Sequence, residues 1–226
     1  MQDKHLKASE IKWDLIETVL LDMDGTLLDL HFDNYFWLEY LPKVYGETFD
    51  IEHDEAVSHL HQRFKKEQGT MAWYCLDYWS EQLQLDILGL KRDVESKIAV
   101  RPHVEEFLSK LKKQGKKIFL VTNAHRDSLE LKMHHTQLES YFDELISSHD
   151  YGEPKENLGL WESLVADYHF DRNTTLLIDD TETVLAAAEN FGIRYLLCIK
   201  QPDFQKPSRD NLKYPAIADF TEIMPL

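Results

Sequence analysis

Val19-Leu20-Leu21-Asp22-Met23-Asp24-Gly25-Thr26 is the stretch that decides the fold of this chain. Its first three residues form a short continuous apolar run, which suits a parallel strand buried on both faces. Two carboxylates and a glycine follow at once, so the strand opens into a polar turn. In open α/β sheets ligands bind outside the carboxyl ends of the strands, where Asp22 and Asp24 would emerge. A carboxylate placed there can accept a phosphoryl group if a cation cancels the repulsion between the two anions. Asp22 is the expected nucleophile. Asp24 is spaced to protonate the leaving oxygen and then to deprotonate the water that hydrolyses the intermediate. Gly25 permits the turn, and Thr26 offers a hydroxyl to the loop or to a phosphate oxygen. Taken alone, the segment reads equally well as a solvated strand-end turn, since Asp and Gly dominate turns.

The rest of the chain supplies the context. After residue 100 helical and strand patterns alternate. Helices are predicted over 102–114, 126–134, 156–168 and 182–190, and strands over 117–121, 144–147, 174–178 and 194–199. Pro102 at the start of the first of these helices and Gly115 just past its end are the expected punctuation. Repeated βα units imply an α/β fold with a doubly wound parallel sheet and right-handed crossovers. Between the two parts of this pattern lie aromatic-rich helical segments at 34–45, 52–66, 71–88 and 92–99, read as an all-helical insert. The expected division is a catalytic core of residues 1–30 and 100–226, with a small helical cap at 31–99. Residues 201–215, with Pro, Lys and Asp, read as a surface connection.

Three further polar positions follow strands or lie in the loops beyond them. Thr122-Asn123-Ala124 leads from a strand into a helix, where a hydroxyl and the first free N–H groups make an anion seat; a plain helix cap is the other reading. Lys155 stands in the loop Gly152-Glu153-Pro154-Lys155-Glu156 and could neutralise a phosphate, although an isolated Lys is more often a solvated surface group. Leu176-Leu177-Ile178 runs into Asp179-Asp180, and paired carboxylates at a strand end call for a cation. An oxygen-only donor set favours magnesium over zinc.

Bulk properties narrow the partners. The 226 residues carry a formal net charge of −16, which argues against binding nucleic acid polymers by bulk electrostatics. Cys75 and Cys198 form neither a disulfide framework nor a metal-spacing motif, as expected of a reducing cytoplasm. Residues 1–14 are charged and lack an apolar core, and no apolar stretch reaches membrane-spanning length, so a soluble, unexported protein with no membrane partner is expected.

Asp22-Met23-Asp24-Gly25-Thr26, Thr122-Asn123, Lys155 and Asp179-Asp180, in that order, resemble the motifs of the haloacid dehalogenase superfamily of aspartate-nucleophile phosphatases. The resemblance implies a metal held by the Asp22 carboxylate, the Asp24 backbone carbonyl and Asp180, with Asp179 nearby through water. It also implies that Thr122, Asn123 and Lys155 hold the phosphate. An acid at position 24, in place of Tyr, resembles the phosphatase branch and not the dehalogenase branch. One departure is that Pro154 precedes Lys155 and Glu156 follows it, where the family often has Lys followed by Pro.

The segments 20–37 and 73–83, with Thr122-Asn123-Ala124-His125, are more specifically similar to bacterial purine 5'-nucleotidases acting on GMP and IMP. That similarity implies a small phosphomonoester substrate, a purine nucleoside monophosphate. A sugar-phosphate phosphatase or phosphomutase on the same core, and a non-catalytic phosphate-binding module, are the competing expectations. Tyr35, Trp37, Trp73, Tyr74, Tyr78 and Trp79 concentrate aromatic surface that could stack on a base, but Trp73, Leu76 and Trp79 also fall at helical spacing that suits packing within the cap. Asn34 and His125 follow the first two motifs closely enough to face a substrate. His53, His59 and His61 read as a solvated helix face.

Overall fold

The structure, a computed structural model, describes residues 11–225. The first ten residues, part of the charged segment read above as carrying no export signal, and residue 226 lie outside the described residues. No helix among the described residues is long and apolar enough to cross a membrane.

Strands β1 (Thr18–Leu21), β2 (Lys117–Thr122), β3 (Glu144–Ser147), β4 (Thr175–Asp179), β5 (Tyr195–Ile199) and β6 (Ala216–Ile217) form one sheet in the order β3-β2-β1-β4-β5-β6. Every neighbouring pair is parallel. The side-chain period of two sends alternate residues to opposite faces. Val19, Leu21, Ile118, Leu120, Leu176 and Ile178 face one hydrophobic cluster. Leu20, Phe119, Val121, Leu177, Leu196 and Cys198 face the other. Both faces are therefore apolar and both are covered, which is why the strands read as continuous apolar runs.

Helices α1 (His31–Tyr35), α2 (Leu41–Phe49), α3 (His53–Glu67), α4 (Met71–Tyr74), α5 (Leu76–Leu83) and α6 (Ile87–Asp93) lie between β1 and β2 in the chain. They are followed by α7 (Val104–Lys113), α8 (Arg126–Thr136), α9 (Leu158–Tyr168) and α10 (Glu182–Phe191). Leu160, Trp161 and Leu164 of α9 and Leu185 and Ala188 of α10 fill one face of the sheet. Phe107 and Leu111 of α7 and Leu129 and Met133 of α8 fill the other, in a cluster that continues into Phe36, Leu60, Phe64 and Trp79 of the helical segment. Removing a side chain such as Leu21, fully buried at the centre, would cost about 2–5 kcal/mol.

The helical expectations need four corrections. The stretch predicted as one helix over 34–45 is α1, a π-helical turn at Phe36–Tyr40, and α2. The helix predicted over 71–88 breaks at Cys75, whose backbone is extended (φ −86°, ψ 113°) and whose Sγ accepts from the Tyr78 N–H to start α5. It stops at Leu83 because Gln84 turns left-handed, and Asp86 then caps α6 through the Gly89 N–H. The helix predicted over 92–99 is the end of α6 and a short 3-10 turn at Glu95–Lys97. Pro102 does not open α7, which begins at Val104 after a left-handed His103 (φ 63°).

Residues 201–215 are more than a surface connection. Asp203 and Tyr214 are buried, and the buried Arg101 guanidinium donates to the carbonyls of Gln201 and Pro202, tying the segment to the sheet end. β6 follows it and was not predicted, being only two residues long.

Candidate active site

The strand order reverses between β1 and β4, and this is where a doubly wound sheet opens its crevice. Asp22 follows β1, with its N–H donating to the Ile178 carbonyl of β4 (3.0 Å), and Asp179 ends β4. Between them lies the Lys155 ammonium. Its Nζ is 2.5 Å from Asp22 Oδ1, 2.7 Å from Asp179 Oδ2 and 3.1 Å from the Val121 carbonyl. Lys155 is only 2% exposed, so it is not the solvated surface Lys its loop position allowed. Its loop is clamped at both ends of the residue, since the Lys155 N–H donates to Asn123 Oδ1 (2.8 Å) and the Trp161 indole donates to the Lys155 carbonyl (2.8 Å). Burial would lower the Lys155 pKa, but Asp179 and Asp22 outweigh it and raise the value, so the ammonium stays charged.

The negative charges exceed what one ammonium balances. Ligand oxygens of Asp22, Asp179 and Asp180 all lie within 4.8 Å of one another. Burial, opposed by Lys155, pushes the Asp22 carboxyl up to about 6. Asp180 is raised well above the ordinary range by burial and by the neighbouring Asp22 and Asp179 charges. Asp22 Oδ2 is buried without a hydrogen-bond partner. An orphaned carboxylate oxygen inside an all-oxygen cluster of excess negative charge fits a hard divalent cation. Gly25 lets the two acidic strand ends approach: its φ is +86°, and a Cβ there would lie 2.8 Å from Asp180 Cγ. Asp179 divides its oxygens between Lys155 and the Thr181 N–H (2.8 Å), so its contacts are those of a group that orients the lysine.

Asp24 belongs to a second ionic network that sequence reasoning missed. Lys132 of α8 places Nζ 2.7 Å from Asp24 Oδ1 and 2.6 Å from Asp33 Oδ2. Lys91 of α6 places Nζ 2.7 Å from Asp33 Oδ1 and sits over the rings of Phe32, Phe36 and Trp37. Both lysines are 1% exposed. Burial pushes the Asp24 carboxyl up to about 6, against the pull of Lys132 and with a further push from Asp33. Asp33 goes the other way: burial opposes ionisation, but Lys132 and Lys91 together hold its carboxyl well below the usual range. A signal was present in the sequence, because Lys132 falls among the buried positions Leu129 and Met133 and Lys91 falls four residues after the buried Ile87. A lysine on an apolar stripe has to find a buried partner.

Asp22, Asp24, Asp33, Lys91, Lys155 and Asp180 line a cavity of about 380 Å³, the size of a small-molecule site, with Lys132 and Asp179 behind them. Asn34, Trp73 and His125, the expected substrate contacts, all border it, as do Thr122, Asn123, Trp37 and Tyr74. Asn34 donates to the buried Asp203 (2.7 Å), so the segment 201–215 supports the wall. The Asn123 side chain is occupied on both sides, accepting from Lys155 and donating to Glu156 Oε2 (3.0 Å), and Glu156 in turn accepts from the Tyr74 hydroxyl (3.0 Å). Glu156, noted in the sequence only as a departure from a motif, thus joins the Lys155 loop to the helical segment. Tyr35 and Tyr78 do not border the cavity, and the Tyr78 hydroxyl donates to Glu67. His53 and His61 are exposed, as a solvated helix face requires, but His59 departs from that expectation: it is half-buried and packs edge-on against Tyr45.

Comparison with known proteins gives the family and the shared fold. Residues 19–198 match the family model described as haloacid dehalogenase-like hydrolase. The chain is 41% identical over 215 residues to the GMP/IMP nucleotidase YrfG of Escherichia coli (strain K12), covering 95% of this chain and 97% of that protein. Among solved structures, a HAD phosphatase from Thermococcus onnurineus superposes with a TM-score of 0.77 at 21% identity, covering 92% of this chain and 96% of that one. L-2-haloacid dehalogenase from Xanthobacter autotrophicus superposes with a TM-score of 0.55 at 15% identity, covering 82% of this chain and 78% of that one. At these identities the two structures attest the shared fold.

Proposed function

The chain belongs to the haloacid dehalogenase-like hydrolases, and from that premise we propose that it is a magnesium-dependent phosphomonoester hydrolase that removes the 5'-phosphate of purine nucleoside monophosphates, GMP and IMP among them. The observation that carries the reading is that two carboxylates two residues apart border one cavity from separate ionic networks. Asp22 stands between Lys155 and Asp180 with one oxygen left unpartnered, as a nucleophile beside a cation site requires, while Asp24 is held apart from it by Lys132 and shares no partner with it, which leaves it to move the proton.

In the proposed reaction Asp22 attacks phosphorus in line, and the bond to the ester oxygen breaks as the aspartyl-phosphate forms. Asp24 gives its proton to the departing alkoxide, so the nucleoside leaves as an alcohol. The same carboxylate then takes a proton from water, which attacks the acyl-phosphate phosphorus and releases inorganic phosphate. Lys155 offsets phosphate charge, the Thr122 hydroxyl, which accepts from the Ala124 N–H (3.0 Å), donates to a phosphate oxygen, and Lys132 holds Asp24 in position. Asp22, Asp180 and the Asp24 carbonyl would hold the magnesium ion, with Asp179 behind them on Lys155. When bound, the ion supplies positive charge that screens the phosphate from Asp22.

We assign residues 31–99 as a cap over a core of residues 1–30 and 100–226. Trp37, Trp73 and Tyr74 bring aromatic surface from that segment to the cavity, which suits a purine better than a hexose. The partner is then a small phosphomonoester and not a nucleic acid polymer. A cytoplasmic location accords with two free cysteines.

Phosphate release from GMP, IMP and hexose phosphates, with and without magnesium, tests the reading. Purine monophosphates should be turned over fastest, magnesium should be required, and Asp22→Asn should be inactive while folded. Wild-type-like turnover by Asp22→Asn would end the proposal, and faster release from hexose phosphates would reassign the substrate.

A further inference from the structure

Cys75, His125 and His149 form a second cluster of ligand-type side chains, separate from the carboxylates. Their ligand atoms lie within 4.8 Å of one another. The three residues are far apart in sequence and come from different supports. Cys75 is the extended residue between α4 and α5, His125 is the N-cap of α8 beyond β2, and His149 stands in the 3-10 turn Ser148–Asp150 beyond β3. The imidazoles of His125 and His149 meet edge to face at 5.0 Å between centroids. His149 Nε2 is buried and has no hydrogen-bond partner among the described residues, which is costly for a polar atom. Asp77 Oδ2, 3.6 Å from His125 Nε2, adds a carboxylate beside the cluster.

We propose that Cys75, His125 and His149 bind a zinc ion, which pins the helical segment to the sheet end and inhibits the enzyme. One sulfur and two nitrogens are the donors of a tetrahedral zinc site, whose fourth position would fall to Asp77 or water. Metal–ligand lengths of about 2.0–2.3 Å put tetrahedral ligands roughly 3.5 Å apart, so the cluster must contract by about an ångström, within reach of side-chain rotation. Binding forms a zinc–sulfur bond and releases the thiol proton to solvent. The soft donors separate this site from the oxygen-only cluster around Asp22, which prefers magnesium. Because His125 also borders the catalytic cavity, drawing it onto an ion removes it from the substrate's side.

Cobalt(II) is the probe, since a thiolate ligand gives it a charge-transfer band and tetrahedral coordination gives intense visible bands. The full-length protein, saturated with magnesium, should take up one equivalent of cobalt with both signatures, and zinc should displace it. Cys75→Ser keeps an oxygen to cap α5 and should lose the charge-transfer band; His149→Ala should weaken zinc binding about tenfold or more. Both variants should keep magnesium-supported turnover and need about tenfold or more zinc for inhibition. That inhibition readout rests on the phosphatase reading above, whereas the cobalt spectra do not. Absence of stoichiometric cobalt bands, or zinc inhibition unchanged in both variants, would overturn the site and send zinc to the carboxylates instead.

Discussion

Lys132 Nζ on α8 lies 2.7 Å from Asp24 Oδ1 while also holding Asp33 Oδ2 at 2.6 Å, so one buried ammonium couples the second motif carboxylate to α1. Its own pKa would fall through burial, but Asp24 and Asp33 raise it and keep it charged. Lys132→Met should therefore leave the half-buried Asp24 without a cation and Asp33 with Lys91 alone, and destabilise the fold by about 3 kcal/mol. Urea unfolding measures this. Lys132→Arg, which keeps the charge, should recover most of the stability but misplace Asp24, lowering kcat more than it raises KM.

Asp24→Asn should leave Asp22 able to form the acyl-phosphate but remove the proton donor. With GMP the loss in kcat should be about 10²–10⁴-fold. With p-nitrophenyl phosphate, whose phenolate leaves without a proton, the first step should be much less affected. A burst of p-nitrophenolate followed by slow turnover is the expected trace, because the variant also lacks the base for hydrolysis. Equal losses on both substrates with no burst would remove Asp24 from proton transfer.

Gly25→Ala places a Cβ 2.8 Å from Asp180 Cγ in a backbone that has φ +86°. The left-handed conformation alone costs a non-glycine residue about 1–2 kcal/mol. The greater effect should fall on the acidic cluster, since Asp180 must move. Magnesium titration of activity should show a higher requirement in this variant, and a thermal melt should show a modest loss of stability.

The raised carboxyls make the metal-free protein sensitive to pH. Asp22 and Asp24 rise from 3.8 to about 6 on folding, so the folded state holds more protons than the unfolded chain between those values. Stability should be greatest near or below pH 4 for these groups and fall as pH climbs to about 6, on the order of 3 kcal/mol per carboxyl. Asp33, held low, acts in the opposite sense and loses its contribution only as pH falls below about 4. Chelator-treated protein should therefore melt lower at pH 8 than at pH 5. Magnesium should raise Tm strongly at pH 8 and weakly at pH 5, where protons compete for the same oxygens.

The sheet was legible because its strands announce themselves in one dimension. Val19-Leu20-Leu21 and Leu176-Leu177-Ile178 are apolar throughout because both faces are covered, and a polar group at the end of each has only one place to go. The helical segment was legible as helical but not in its breaks, since the extended Cys75 and the left-handed Gln84 are imposed by packing around Trp79 and by the cap at Asp86. Asp203 was missed because its partner Asn34 is 169 positions away.

What the sequence determined by itself was the α/β alternation and that Asp22, Asp24, Thr122, Lys155, Asp179 and Asp180 stand at the end of a strand or in the loop beyond it, because local periodicity places them there. What only the tertiary structure decided was how their charges are shared. Lys155 sits between Asp22 and Asp179, Lys132 joins Asp24 to Asp33, and Glu156 ties Asn123 to Tyr74. The physical reason is that a buried charge must be paired, and its partner is chosen by distance in space, which no spacing along the chain encodes.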